Sequence, residues 1–404
     1  MSTGPRPSSF AVTLAGILSL AVAMGIGRFA FTPLLPLMME AGGLDVAAGG
    51  WIAAANYAGY LAGAVTASRL RWSAVRLGTV ALVLTALLTA AMALPLGAAG
   101  WAALRFIAGV CSAWAFVATA IWCLGALASQ GRAQLAGAVY SGVGFGIAAA
   151  GLFCLVAASL RESPQAIWIE LGVIAGLGVL PIVLTLRRLQ AAPANNSTAS
   201  ATPSARTAAM PGVRGLVVCY GALGFGYILP ATFLPVLART VVADPRLFGL
   251  AWPVFGITAA ASTFIAGWLM RRATRLKVWA GSNLVMGAGV MLPSLWLNGW
   301  TIALSALFVG GTFMIVTLAG VQEVRARAVG DATPLVARMT AAFALGQIAG
   351  PIAASLLLRL PAITPIALNV ALQLAALSQV AAAAWLWRME RALPPTETEM
   401  SHAR

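Results

Sequence analysis

Gly25-Ile26-Gly27-Arg28, followed by Leu35-Pro36-Leu37, returns 199 positions later as Gly224-Phe225-Gly226-Tyr227, followed by Leu234-Pro235-Val236. Asp45 and Asp244 keep that offset just beyond the two stretches. Gly142-x-x-x-Gly146 pairs with Gly346-x-x-x-Gly350 at an offset of 204, and Gly109 with Gly310 at 201. A single glycine pair is chance in an Ala/Gly-rich chain. Ordered matches at a nearly constant offset are a repeat, so the chain reads as two copies of one unit.

The solvent that unit folds in follows from composition. Of 404 residues, 61% are hydrophobic and 9% charged, against about 45–50% apolar and about 25% charged in a soluble domain. No soluble fold of this length covers so much apolar surface with so few charges, so a bilayer must supply the apolar solvent. The formal charge of +15 would suggest nucleic acid in a soluble protein. Here the basic residues fall singly or in short clusters between apolar runs, which points to topology signalling instead. The one histidine, His402, lies in the tail, and Cys111, Cys123, Cys154 and Cys219 all lie inside apolar stretches. Packing explains those thiols better than disulfides or metal ligands. No metal site, cofactor motif, nucleotide loop or catalytic triad is readable, and the chain is not expected to be an enzyme. Residues 6–23 imitate a cleaved signal peptide, but the apolar stretch runs on through Met39 and recurs in the repeat. It is read as a retained first helix.

A membrane helix needs about 20 mostly apolar residues. Such stretches run near 10–39, 47–68, 77–95, 100–124, 133–160, 165–187, 213–238, 248–270, 277–297, 300–321, 339–358 and 364–387. Twelve spans place both termini on one side. That side then holds Arg6, Arg69, Arg71, Arg76, Arg132, Arg187, Arg188, Arg206, Arg214, Arg271, Arg272, Arg275, Lys277, Arg325, Arg327, Arg338, Arg388, Arg391 and Arg404. The opposite loops hold only Arg161, Arg239, Arg246 and Arg359. The positive-inside bias makes the richer side, with both termini, cytoplasmic. The stretch AAPANNSTASATPSARTAAMP after Gln190 has no apolar periodicity and reads as a linker. The expected organisation is a six-helix bundle over 1–188, a cytoplasmic linker over 189–212, a second six-helix bundle over 213–388 and a tail over 389–404. Parallel six-helix halves are the architecture of many secondary transporters.

On these residues the chain resembles the major facilitator superfamily. Arg105-Phe-Ile-Ala-Gly109 in span four, followed by Cys111, Ser112 and Ala113, is similar to that superfamily's RxxxG pattern. Gly346-x-x-x-Gly350-Pro351 in span eleven is similar to its GxxxGP motif, whereas Ile147 stands at the proline position in span five. The loop between spans two and three keeps Arg69, Arg71 and Arg76 without the motif's aspartate, and Arg271 and Arg272 repeat that departure. GIGRFAFTPLLPLM at Gly25–Met38, with Asn56-Tyr57-Ala58-Gly59-Tyr60 in span two, resembles the YbfB/YjiJ branch. The resemblance implies a major facilitator fold: an all-α membrane protein with a cavity between two bundles, lined by spans one, four, seven and ten. It also implies alternating access in a bacterial inner membrane.

Three charged residues fall well inside spans: Arg28, Arg105 and Glu170. A charge at bilayer depth costs at least about 2.5–3.5 kcal/mol unless it meets protein or water. Arg28 lies 12 residues from Glu40, roughly 18 Å at helical rise. One reading has Arg28 and Arg105 converge on an anionic group, which a forked guanidinium matches. The other has an arginine bond backbone carbonyls at a break near Pro33 and Pro36, or pair with Glu170. Glu170 is the acid within a span and the proton-coupling candidate. Tyr227 stands at the repeat position of Arg28. Asn56 and Tyr60 share a helix face, and Tyr140 and Gln347 flank the glycine motifs; interhelical bonding competes with ligand contact for each. Trp51, Trp101 and Trp300 read as interface anchors.

The expected function is secondary transport of a small organic anion or zwitterionic metabolite by a monomer, coupled to protons. The alternatives are drug or metabolite efflux and, more remotely, a transporter-like sensor. Partners are the small-molecule substrate and the lipid bilayer, not nucleic acid.

Overall fold

Backbone groups inside a bilayer must find partners within the segment itself, and the chain is accordingly helical wherever it is apolar. The computed structural model describes residues 7–42, 44–67, 69–70, 72–191, 212–241, 249–328 and 332–392. The bulk of the expected linker (192–211), the tail beyond 392, and with them Arg6, Arg71, Arg206, Asp244, Arg246, His402 and Arg404, lie outside the described residues.

Span one is interrupted. It runs Ser9–Leu20, a widened turn Ala21–Ile26, a non-helical corner, then Phe31–Glu40. Spans two to six are Val46–Ala67, Ala74–Ala91, Gly97–Ser129, Ala136–Ser159 and Pro164–Ala191. Spans seven to twelve are Val213–Val241, Ala251–Leu269, Arg275–Leu295, Gly299–Arg327, Thr333–Leu358 and Ala367–Arg391. Among the described residues, 11 segments are long and apolar enough to cross a membrane. The twelfth, span two, falls short in hydropathy because Gly, Ala, Tyr and Asn fill it, and its inner face is buried. All twelve expected spans are present. Spans begin and end alternately at the face of Ser8 and the face of Glu40.

The repeat seen in sequence is also a repeat of packing. Span four packs on two and three, three on six, and five on one; likewise ten packs on eight and nine, nine on twelve, and eleven on seven. The halves meet where span five crosses eight and span two crosses eleven, two contacts that the repeat exchanges. Small residues allow these crossings: a Cβ on Gly25 would run into the backbone of Gly146, so spans one and five approach backbone to backbone.

Three expectations are corrected here. Spans four and ten run past their expected ends at 124 and 321, to Ser129 and Arg327. In span ten the extra turns carry Glu323, only 5% exposed, which pairs with Arg327 at 2.5 Å and Arg275 at 2.9 Å. Arg325 and Arg327 therefore sit on the helix and not in a loop. Trp101 is a hairpin lock and not simply an interface anchor, because its indole N–H donates to the carbonyls of Met92 (3.1 Å) and Leu94 (3.0 Å). Trp300, beside the start of span ten, is 82% exposed. The four cysteines are buried and unbridged.

Candidate functional site

The break in span one builds the site. Gly27 N–H donates to Val22 O (2.8 Å) and Phe29 N–H to Met24 O (3.0 Å), a five-residue spacing that widens the helix. Turns of this kind are rare and cluster at functional sites. Thr32 N–H then turns back to Phe29 O at 3.2 Å, so it does not serve the carbonyl of Arg28 four residues earlier. Arg105, 3% exposed, reaches over from span four. Its Nη1 donates to Gly27 O at 2.7 Å and its Nη2 donates to Arg28 O. A fork of donors thus replaces the missing helical bonds, as a buried carbonyl requires.

Carbonyl binding at a helix break, weighed for Arg28, is what Arg105 does, and the break lies at Gly27–Ala30 rather than at Pro33 and Pro36. Asn56 continues the support by donating from Nδ2 to Arg105 O at 2.8 Å. Both residues hold the frame of the site.

Arg28 is held differently. It is 3% exposed, and its Nη2 donates to Gln347 Oε1 at 2.6 Å. Gln347 in turn donates from Nε2 to the Tyr227 hydroxyl. Three residues from spans one, eleven and seven therefore form one chain across the halves. The guanidinium carbon lies 4.1 Å from the Tyr60 ring centre, 5.1 Å from Tyr57 and 5.2 Å from Phe29. Such rings attract a cation through their negative faces. On the other side Tyr227 stacks on Phe313 at 4.5 Å and on Phe343 at 5.6 Å.

Among the described residues no carboxylate pairs with Arg28 or Arg105. Glu40 pairs with Arg239, Glu323 with Arg275 and Arg327, and Glu390 with Lys277. Asp45 accepts from Ala48 N–H. Glu170 lies beside Glu162, near the Glu40 end of span six, so the expected alternative of an Arg28–Glu170 pair is not realised. Arg28 Nε has no partner.

The polar contacts joining the halves include Thr32 Oγ1 to Ala231 O (2.9 Å), the Tyr57 hydroxyl with Thr232 (3.3 Å), Ser355 Oγ to Ala47 O (2.9 Å) and Arg239 Nη1 to Pro36 O (2.9 Å). Each lies between Arg28 and the Glu40 face, which is therefore closed. Towards the Ser8 face the rings of Phe116, Tyr140 and Phe343 are only half-buried. Tyr140 packs on Phe116 at 5.8 Å on that side and not on Arg28.

Of the residues named from sequence, Arg28, Tyr60, Tyr227 and Gln347 come together. Arg105 and Asn56 stand behind them, Tyr140 lies towards the Ser8 face and Glu170 lies apart. Tyr57, Phe29, Phe313 and Phe343 were missed. Tyr57 was within reach, one turn from Tyr60 in a span of small residues. An aromatic ring in an apolar span carries no comparable signal.

A family model described as "uncharacterised MFS-type transporter YbfB" matches residues 20–385. Among solved structures, the chain is similar to a bacterial homolog of the human lysosomal transporter Spinster, solved inward-facing and occupied. That match has TM-score 0.71 and 16% identity over 96% of this chain and 98% of that one. It is also similar to a D-xylose–proton symporter, with TM-score 0.71 and 13% identity over 94% and 96% of the two chains. A third is the nucleoside transporter NupG, with TM-score 0.69 and 12% identity over 95% and 99%. At these identities the likeness shows the fold alone. No curated protein sequence matches the chain.

Proposed function

The chain belongs to the major facilitator superfamily, in the family of the MFS-type transporter YbfB, and from that premise we propose that it is a secondary transporter of a small organic anion or zwitterion, working by alternating access around Arg28. The observation that carries the substrate class is the state of that guanidinium. It is buried, rests on neutral groups, and meets no carboxylate among the described residues. A cation at this depth costs at least about 2.5–3.5 kcal/mol, and rings and an amide offset part of it. A carboxylate or phosphate brings the missing charge in a geometry that fits the fork.

Alternating access is supported by where the halves touch. The contacts between them run from Arg28 to the Glu40 face, so rocking them apart there exposes Arg28 to that side. By the positive-inside bias the Ser8 face is cytoplasmic, in a bacterial inner membrane, and the repeat is complete within one chain, so a monomer suffices. Proton coupling is the separate part of this proposal. Glu170 is away from Arg28, and a proton carried there is not handed to the site. Flux measured with and without a pH gradient decides that part.

The test is a thermal-shift screen of purified wild type and Arg28→Gln against carboxylates, phosphates, amino acids and lipophilic cations. A ligand at 100 times its dissociation constant adds about 2.7 kcal/mol. Anions are expected to stabilise the wild type and not the variant. Equal stabilisation of both proteins by lipophilic cations alone would overturn the reading in favour of efflux.

A further inference from the structure

The groups around Arg28 discriminate among anions. We propose that the ligand is a monocarboxylate with a flat, aromatic or similarly unsaturated body and no ammonium group, a proposal that rests on the anion reading above.

The free donors limit the ligand to one anionic group. Both Nη atoms of Arg105 are taken by the carbonyls of Gly27 and Arg28, so Arg105 keeps its charge but offers no guanidinium fork, and Arg28 presents the edge a carboxylate can reach. A second carboxylate, or the further oxygens of a phosphate dianion, would have no such fork to accept from, and an anionic group buried without hydrogen bonds loses affinity. The two positive charges also exclude an amino acid. An ammonium group needs a carboxylate or several carbonyls, and the described carboxylates are all engaged or placed elsewhere. Beside Arg28 an ammonium would meet repulsion instead.

The walls specify the body. Tyr60, Tyr57 and Phe29 surround the guanidinium at 4.1, 5.1 and 5.2 Å. Through Gln347 this cage joins the Tyr227 ring, which stacks on Phe313 and Phe343. Phe343 is half-buried on the Ser8 side of Gln347. A carboxylate on Arg28 has its remaining atoms between these rings, where a flat π-system gains offset stacking that an aliphatic chain or a polyol does not. Arg28 Nε has no partner and is the donor that the incoming oxygen satisfies. Gln347 Oε1, now accepting from Arg28, is the group the anion displaces.

The experiment uses the full-length purified protein and matched probes: benzoate, acetate, inorganic phosphate, succinate, L-phenylalanine and phenethylamine. Half-saturating concentrations for thermal stabilisation are measured on wild type, on Arg28→Gln and on Phe343→Leu. Benzoate is expected to bind at least about tenfold tighter than acetate, the scale of one good ring contact, to lose its effect in Arg28→Gln, and to lose most of its advantage in Phe343→Leu. Phosphate, succinate, phenylalanine and phenethylamine are expected to give no shift at the same concentrations. The wild-type ranking decides the matter even if a variant fails to fold. Arg28-dependent binding of acetate, phosphate or succinate as tight as benzoate overturns the aromatic class while leaving the anion site standing. Phenylalanine binding as tightly as benzoate overturns the exclusion of zwitterions. No Arg28-dependent stabilisation by any anion overturns both this proposal and the reading beneath it.

Discussion

Glu40 and Arg239 occupy equivalent positions of the two repeats, 199 residues apart, and their side chains pair across the closed face of the bundle. Thr32 and Ala231, at the same offset, are bonded to each other deeper in the same seam. Spans one and seven therefore run beside the axis that relates the halves, and whatever separates the halves on this face must first part these two pairs.

The ion pair is partly exposed, at 25% for Arg239 and 60% for Glu40, so its worth is about 0.2–1 kcal/mol. Arg239 also donates to Pro36 O at 2.9 Å. Arg239→Ala should thus open the Glu40 face more than Glu40→Gln, by a few-fold in labelling rate at a cysteine placed at Thr232. Equal rates in both variants and the wild type would show that the pair does not restrain the face.

The two arginines should fail in different ways. Arg105→Gln removes charged bonds to two buried carbonyls, each worth about 1.5–3 kcal/mol, and should lower the melting temperature without any ligand. Arg28→Gln should leave the melting temperature near wild type and remove the anion response. The reverse assignment, read from the same two melting curves, would exchange their roles.

Gln347→Glu puts a carboxylate where Gln347 Oε1 now lies, 2.6 Å from Arg28 Nη2. The new internal counter-ion should compete with any substrate anion, and the stabilisation by anions should fall at least about tenfold in affinity, roughly 1.4 kcal/mol. Tyr227→Phe loses one neutral hydrogen bond, about 0.5–1.5 kcal/mol, and should weaken binding less. An anion response that survives Gln347→Glu intact would place the ligand elsewhere.

Helix crossings in the first half give a stability test. A Cβ on Gly109 would meet Asn56 O, and one on Gly59 would meet Phe106 O, both inside van der Waals contact. Either change to alanine should cost about 1–3 kcal/mol or more. Gly125, in the same helix as Gly109, has open space around its missing Cβ, so Gly125→Ala should be neutral or gain about 0.5–1 kcal/mol. Thermal denaturation of the three variants checks the order, and an equal loss at all three would refute the packing argument.

The parts of the site that could be read beforehand share one property: each stands out against its own stretch of chain. Arg28 is a charge in an apolar run, Tyr227 is its repeat partner, and Gln347 sits inside a glycine motif. Phe313 and Phe343 resemble their neighbours, and only the rotation of spans ten and eleven aims them at Tyr227. Glu323 escaped notice because helix and loop are indistinguishable where polar residues follow an apolar span.

Sequence by itself determined the membrane, the twelve spans and the two-fold repeat, because hydropathy and internal offset are properties of the chain taken locally. It also singled out Arg28 and Arg105, which are buried, together with Glu170, which is not, and passed over the buried Glu323. Tertiary structure alone decided what each charge does. Arg105 turned to the carbonyls freed at Gly27 and Arg28, which exist only because span one breaks there. Arg28 was left to Gln347, 319 residues away, and to the rings of Phe29, Tyr57 and Tyr60 from its own half. A hydrogen-bond partner at that separation depends on helix rotation and crossing, and neither leaves a trace in local composition.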